Sequence, residues 1–435
     1  MSDNIYRRKC YALVAWGLTL SFFLYQFALR LLPSMIMPEM LSRLHMDASQ
    51  LGMSNSMYYV GYSLAQVPVA IALNKFTARI VVSVSAILCG LLSLVFLQTH
   101  SWVMVVLCRF LIGIFSAAGF LGALNVSAEW FGAKYFSRMV GLTVSAAFIF
   151  VFYVVSKIPN FIQILGQERF GCYLSLCGIV LGIVIYSVLR VNPAYQSEIT
   201  EEKCDVKSIL SPFMMALGIA SFLLVGPLEG FADAWGCEYL VDCYKISRSE
   251  ASKIVYHIFL GMIIGSPIVE FLGRRIGNYL ALNLCAIVIL YSFILLIFAP
   301  STLNWKFVVV SDVLEITGLN LLFLFVGIAS AYQVLIFAIA SEVVSKKSLN
   351  ITSALLNCLN MIGGSMFHLV IGCVVQHLWD GEMQNNTPYY NANDIGFAVL
   401  SIPIAAFVAI IIVTCIKKKG VQLARTSQKR RENSF

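Results

Sequence analysis

The sequence predicts an all-α membrane protein with about twelve spanning helices in two six-helix repeats. Three observations carry that expectation. The composition is too apolar for water. Apolar runs of spanning length recur along the whole chain. Segments of the first half reappear in order in the second. Of 435 residues, 59% are hydrophobic and 12% are charged, against about 25% charged in a soluble domain. The remaining polar surface is too small to face water on all sides, so the chain's main solvent is expected to be lipid.

A span needs about 20 mostly apolar residues. Twelve runs qualify, at 11–32, 51–73, 80–97, 103–127, 138–159, 171–190, 211–235, 252–272, 278–299, 317–341, 350–375 and 396–416. The first is too long for a signal-peptide core and no small-residue cleavage site follows it, so it reads as a span. The polar stretch 191–210 divides the runs six and six. This gives an N-terminal bundle (1–190), a cytoplasmic linker (191–210), a C-terminal bundle (211–416) and a basic tail (417–435).

Lysine and arginine set the expected orientation. With the N-terminus inside, 21 of the 30 basic residues fall on the inner side, seven on the outer side, and Arg30 and Arg109 within spans. That bias places both termini in the cytoplasm. The clusters Arg7-Arg8-Lys9, Lys417-Lys418-Lys419 and Lys429-Arg430-Arg431 suit an anionic leaflet. The net charge of +8 therefore points to a lipid bilayer and not to nucleic acid.

The twelve cysteines are scattered without a CxxC pair and read as small buried hydrophobes. Cys237 and Cys243 fall in an expected outer loop, where a disulfide stays open as an alternative. The five histidines form no HExxH pair, and no Gly-x-x-x-x-Gly-Lys-Ser/Thr loop occurs. No cofactor, metal or enzymatic activity is expected.

The repeat appears at three places. Phe23 to Arg30 aligns with Phe222 to Glu229, and the same offset brings Glu39 onto Glu238. Ala70 to Arg79 aligns with Ser266 to Arg275, and Gly113-Ile-Phe-Ser-Ala with Gly327-Ile-Ala-Ser-Ala. Three matches in order indicate a tandem repeat.

The loop after the second span carries a family resemblance. It reads Ala70-x-x-x-Asn74-Lys75-Phe76-Thr77-Ala78-Arg79, and its second-half counterpart reads Ser266-x-x-x-Glu270-Phe271-Leu272-Gly273-Arg274-Arg275. These resemble the G-x-x-x-D-R-x-G-R-R loop of the major facilitator superfamily. Arg109-x-x-Ile112-Gly113-x-x-Ser116-Ala117-Ala118 resembles the same superfamily's R-x-x-Q-G-x-G-x-A motif, with Ile112 in place of glutamine. The G-P-x-x-G-G motif of drug antiporters is absent from 140–153. The stretch from Tyr58 through Gln66-Val67-Pro68 is similar to the second span of bacterial nutrient importers, among them phagosomal amino-acid transporters of intracellular bacteria. The resemblance implies two six-helix bundles working by alternating access. It implies gating roles for Asn74, Lys75, Arg79, Glu270, Arg274 and Arg275, and proton coupling at Arg109. Positive-inside topology alone also accounts for the basic loops.

Ionisable residues within spans are costly and mark function. They occur here in spans 1, 4, 7, 8 and 11 and are missing from the interiors of 3, 6, 9 and 12, which the resemblance places outside the cavity. Arg30 is expected to bind an anionic substrate group, with Gln26 one turn earlier on the same face. Tyr62, Gln66, Asn357 and Tyr332 are expected to add polar contacts. Glu229 is expected to take and release a coupling proton, Asp233 at i+4 to relay it, and His257 to titrate nearby. A structural Arg30–Glu229 gate pair remains the competing reading.

The function expected from these residues is proton-coupled import of a small carboxylate-bearing metabolite, an amino acid or organic acid, by a monomer in a bacterial inner membrane. The alternatives are an exporter or exchanger of small organic molecules and a non-transporting receptor.

Overall fold

The computed structural model describes residues 2–190, 210–298, 309–311, 314–315, 318–344, 349–384 and 387–432. The first half contains α1 (Ser2–Met35), α2 (Met37–Leu44), α3 (Ala48–Lys75), α4 (Ala78–Gln98), α5 (Trp102–Tyr153), α6 (Ile158–Leu165) and α7 (Gln167–Val188). The second contains α8 (Pro212–Leu224), a π-helix (Gly226–Trp235), α9 (Gly236–Tyr244), α10 (Arg248–Val255), α11 (His257–Ile276) and α12 (Asn278–Phe298). It continues with α13 (Gly318–Ser330), α14 (Gln333–Val343), α15 (Leu349–Leu378), α16 (Ala392–Val399) and α17 (Ser401–Glu432). The only extended pairings among the described residues are two short hairpins, Val309–Ser311 with Leu314–Glu315 and Met383–Gln384 with Thr387–Pro388.

Eleven helical segments among the described residues are long and apolar enough to cross a membrane. The 28-residue α3 is long enough but falls below that hydropathy. Ser49, Gln50, Ser54, Asn55, Ser56, Ser63 and Gln66 dilute it. Its apolar residues lie on the other face, where Leu64, Val67 and Ile71 are exposed. With α3 counted, the described residues form an almost entirely helical protein of about twelve spans.

Several boundaries differ from the sequence reading. Spans four and five belong to one continuous helix, α5, because residues 128–137 contain one glycine and no proline to stop it. Cys237 and Cys243 lie on α9 and not in a loop, and both are free thiols. The Cys237 Sγ lies 3.4 Å from Ser252 Oγ. The last helix carries the basic tail on to Glu432. The expected linker lies outside the described residues except for Leu210.

The chain separates into two compact units, Met1–Met46 with Met57–Thr200 and Asp47–Ser56 with Glu201–Phe435. Local structure repeats between the two halves of the sequence. His45 and Lys245 both end a helix in the left-handed conformation, at φ 48° and 54°. Each is followed two residues later by a helix cap. Asp47 Oδ1 accepts from the Gln50 N–H at 2.7 Å while Gln50 Oε1 accepts from the Asp47 N–H at 3.1 Å, a reciprocal capping box. Ser247 Oγ accepts from the Glu250 N–H at 3.2 Å.

A second correspondence is a crossing on glycines. A Cβ on Gly61 would lie 2.2 Å from the Phe110 carbonyl oxygen, and one on Gly113 2.1 Å from that of Tyr58. In the other half, Gly261 and Gly327 would clash with the Leu324 and Ile258 carbonyls at 2.2 and 2.0 Å. The second and fourth spans of each half therefore meet backbone to backbone, as small residues permit in membranes. Gly113 and Gly327 are the residues that aligned in the sequence.

Candidate functional site

In the first unit the site is built around a proline in α1. Pro33 has no N–H, so the Leu29 carbonyl one turn earlier loses its helical donor. Arg109 of α5 supplies the missing donor. Its Nη1 donates to Leu29 O at 2.8 Å and its Nη2 to Arg30 O at 3.2 Å. Arg109 is 1% exposed, and its guanidinium lies 4.7 Å from the centre of the Tyr58 ring. The Tyr58 hydroxyl in turn donates to Gln26 Oε1 at 2.7 Å. Gln26, Arg30, Tyr58 and Arg109 thus form one connected buried cluster.

Arg30 is 9% exposed. Its guanidinium carbon sits 4.8 Å from the Phe27 ring centre and 5.5 Å from that of Tyr59. Such faces attract a cation and exclude water. Tyr62 stacks on Tyr58, with ring centres 6.1 Å apart. Gln66 follows one turn along the same face of α3 and is buried.

In the second unit, Glu229 and Asp233 lie on the π-helix, at 2% and 3% exposure. Gly226-Pro227 opens that segment and Gly230 interrupts it. A Cβ on Gly230 would come within 2.7 Å of Phe367 on α15. π-helical geometry is rare and concentrates at functional sites. Its local cause here is a pair of glycines around a proline that cannot donate.

Tyr332, between α13 and α14, has its hydroxyl 2.7 Å from Asn360 Oδ1 and 3.0 Å from Ser221 O. Ser221 Oγ donates to the same Asn360 oxygen at 3.0 Å. The Glu229 carboxylate lies within Coulombic range of Tyr332. The expected Asn357 is half-buried, and its neighbour Asn360 is the asparagine tied into this network. His257 is half-buried at the break between α10 and α11, with Nδ1 2.8 Å from the Lys253 carbonyl.

The loops that follow the second span of each half hold paired side chains. Arg79 Nε donates to Tyr186 O at 2.5 Å, and its guanidinium stacks 4.3 Å from that ring. Arg274 pairs with Glu270 of its own helix, and both are exposed. Arg275 lies over Phe271 and Lys75 over Phe76. Asn74 is in the last turn of α3. Arg79 thereby ties α4 to α7, and a second link between helices comes from Asn278, whose Nδ2 donates to Glu342 Oε1 at 2.7 Å. Among the described residues, no cluster of three His, Cys, Asp or Glu side chains could hold a metal.

A model of the Major Facilitator Superfamily matches residues 18–368. The chain belongs to this superfamily. That family is one of membrane transporters, in keeping with the eleven described segments long and apolar enough to cross a membrane. Among curated proteins, it is 32% identical over 98 residues to the "Uncharacterized transporter YybO" of Bacillus subtilis (strain 168), covering 22% of each chain. It is 29% identical over 118 residues to the "Probable anion transporter 6" of Oryza sativa subsp. japonica, covering 27% of this chain and 28% of that one. These matches span only about a quarter of each relative. A bacterial homologue of the human lysosomal transporter Spinster shares the superfamily fold, with a TM-score of 0.71 at 13% identity over 96% of this chain and 97% of that one.

Proposed function

We propose that this superfamily member is a proton-coupled importer of a small carboxylate-bearing metabolite, an amino acid or organic acid. One observation carries the reading. The repeat-equivalent positions 30 and 229 hold a buried arginine and a buried glutamate, one in each unit. Buried charges in a membrane protein are retained for binding or coupling. Arg30 takes the substrate carboxylate through its planar fork of donors. Gln26, fixed through its oxygen by Tyr58, keeps its amide donors for the same anion.

Glu229 exchanges the coupling proton, with Asp233 and His257 on the route to it and the Tyr332–Asn360 network beside it. An anion on Arg30 neutralises that buried cation and a proton on Glu229 neutralises that buried carboxylate, so each event lowers the burial cost of its own group. Arg109 serves by holding the α1 main chain at Leu29 and Arg30, the turn that presents the Arg30 side chain. The rice relative is named as a probable anion transporter, which agrees with an anionic substrate. The inner-loop arginines and Glu270 gate the cytoplasmic side. The protein acts as a monomer in the inner membrane with both termini in the cytoplasm. The two halves divide at 191–210.

The test is uptake of labelled amino acids and small organic acids by proteoliposomes, with and without an inward proton gradient. Accumulation that needs the gradient and is lost in Glu229→Gln is the expected result. Gradient-independent exchange removes the proton from the mechanism and favours an exchanger.

A further inference from the structure

Several buried polar atoms of the first unit lack a hydrogen-bond partner, and among them Gln66 Nε2 lies on the same helix face as the ring that meets Arg30. Gln66 on α3 is 8% exposed, and its Nε2 is fully enclosed without a hydrogen-bond acceptor. An unmet amide donor in an apolar interior is among the costliest features a fold retains, and it calls for an explanation. Residues 64, 67 and 71 on the opposite face of α3 are exposed apolar side chains. A leucine or methionine at position 66 would suit the same surroundings without that cost.

Gln66 lies seven residues from Tyr59, and seven residues return a helix to the same face. The rise over that interval is ~10 Å. Tyr59 is the residue whose ring meets the Arg30 guanidinium. Tyr62 and Ser63 occupy the intervening turn and are buried. α3 therefore presents a column with the Arg30 cation at one end and an unsatisfied amide donor at the other. Both ends ask for an acceptor oxygen, one of them anionic.

We infer that Gln66 is a second substrate subsite, and that the transported molecule is elongated, with a carboxylate for Arg30 and an oxygen acceptor at its far end for Gln66. The inference rests on the assignment of Arg30 to the substrate carboxylate. It narrows the substrate to α,ω-difunctional acids, dicarboxylates or acids with a terminal carbonyl. It disfavours short monocarboxylates. Gln66 selects among acids by length, because an acid too short to span the column gains nothing from it.

The experiment measures the melting temperature of the purified full-length protein in detergent, with straight-chain dicarboxylates from succinate to sebacate and monocarboxylates of equal length. In wild type, the longer diacids should stabilise more than their monoacid partners. Gln66→Met should remove that excess, weakening the best diacid by about tenfold, the loss of one good hydrogen bond, while leaving monoacids unchanged. The ligand-free Gln66→Met protein should melt a few degrees higher than wild type, because the unmet donor is gone. Gln66→Glu should reject diacids through repulsion and still bind monoacids, which keeps the test valid if the methionine variant expresses poorly. Equal stabilisation by diacids and monoacids at every length, or a diacid excess that persists in Gln66→Met, overturns the subsite and leaves Arg30 in place. No stabilisation by any acid, long or short, overturns the Arg30 assignment as well.

Discussion

Replacing Arg109 by methionine keeps most of the side-chain volume and removes the donors that meet the Leu29 and Arg30 carbonyls. Two charge-assisted bonds, at 2.8 and 3.2 Å, contribute ~1.5–3 kcal/mol each. Relief from burying a cation offsets part of their loss. The net destabilisation expected is ~2–4 kcal/mol. The more specific consequence concerns Pro33. Pro33→Ala restores a main-chain N–H at position 33, which can donate to Leu29 O in the normal helical way. In that background Arg109→Met should cost less, by ~1 kcal/mol or more. The assay is a double-mutant cycle on detergent-solubilised protein followed by reversible unfolding, with uptake measured in parallel. Contacts in one network normally couple by ~0.5–3 kcal/mol. If the two substitutions add within ~0.3 kcal/mol, Arg109 does not serve the carbonyl that proline frees, and its burial needs another cause. Arg109→Lys should recover only part of the loss, because one ammonium cannot reproduce the two-pronged contact.

Four further outcomes are expected. Gly113→Val and Gly327→Val, each placing a side chain about 2 Å from a carbonyl oxygen, should destabilise by ~3 kcal/mol or more, read as lost monodisperse protein on size exclusion. Ser247→Ala and Asp47→Ala should each cost ~1 kcal/mol through loss of a cap, with Asp47→Ser nearly neutral, measured by thermal unfolding. The exposed Glu270–Arg274 pair should contribute no more than ~0.5 kcal/mol, so Glu270→Gln should leave the melting temperature almost unchanged at high salt. Glu229→Gln should abolish gradient-driven accumulation while substrate counterflow persists, because exchange needs no net proton movement.

The spans were legible because lipid imposes long apolar runs. The span hardest to justify by hydropathy, α3, is the one whose polar residues turn inward. The repeat was legible from Gly113 and Gly327, though not its reason, since the carbonyls they face lie about 50 to 70 residues away. The cap residues Asp47 and Ser247 were readable from spacing, the first closing a full capping box with Gln50 and the second making a single cap bond to Glu250. So were the breakers at Gly226-Pro227 and Gly230, although spacing does not distinguish a kink from a π-helix. Arg109 stood out in the sequence as a buried charge. Its link to Pro33 depends on two spans crossing, and no local pattern encodes that. Asn357 and Asn360 are three residues apart and chemically identical. Only packing against Ser221 and Tyr332 selects Asn360. The disulfide considered for Cys237 and Cys243 assumed a loop, whereas the two thiols sit six residues apart on one helix.

The glycine crossings also supply an internal ruler. Where two helices touch through their main chains, no side-chain rotamer can take up movement between them, and sliding would drive a carbonyl into a Cα. The Gly61–Gly113 pair and the Gly261–Gly327 pair should therefore each travel as a welded unit through any cycle the protein performs. Spin labels on the exposed Leu64 and Leu107, one on each helix of the first pair, should report one narrow distance distribution in every state. Any distance that does change can then be measured against it.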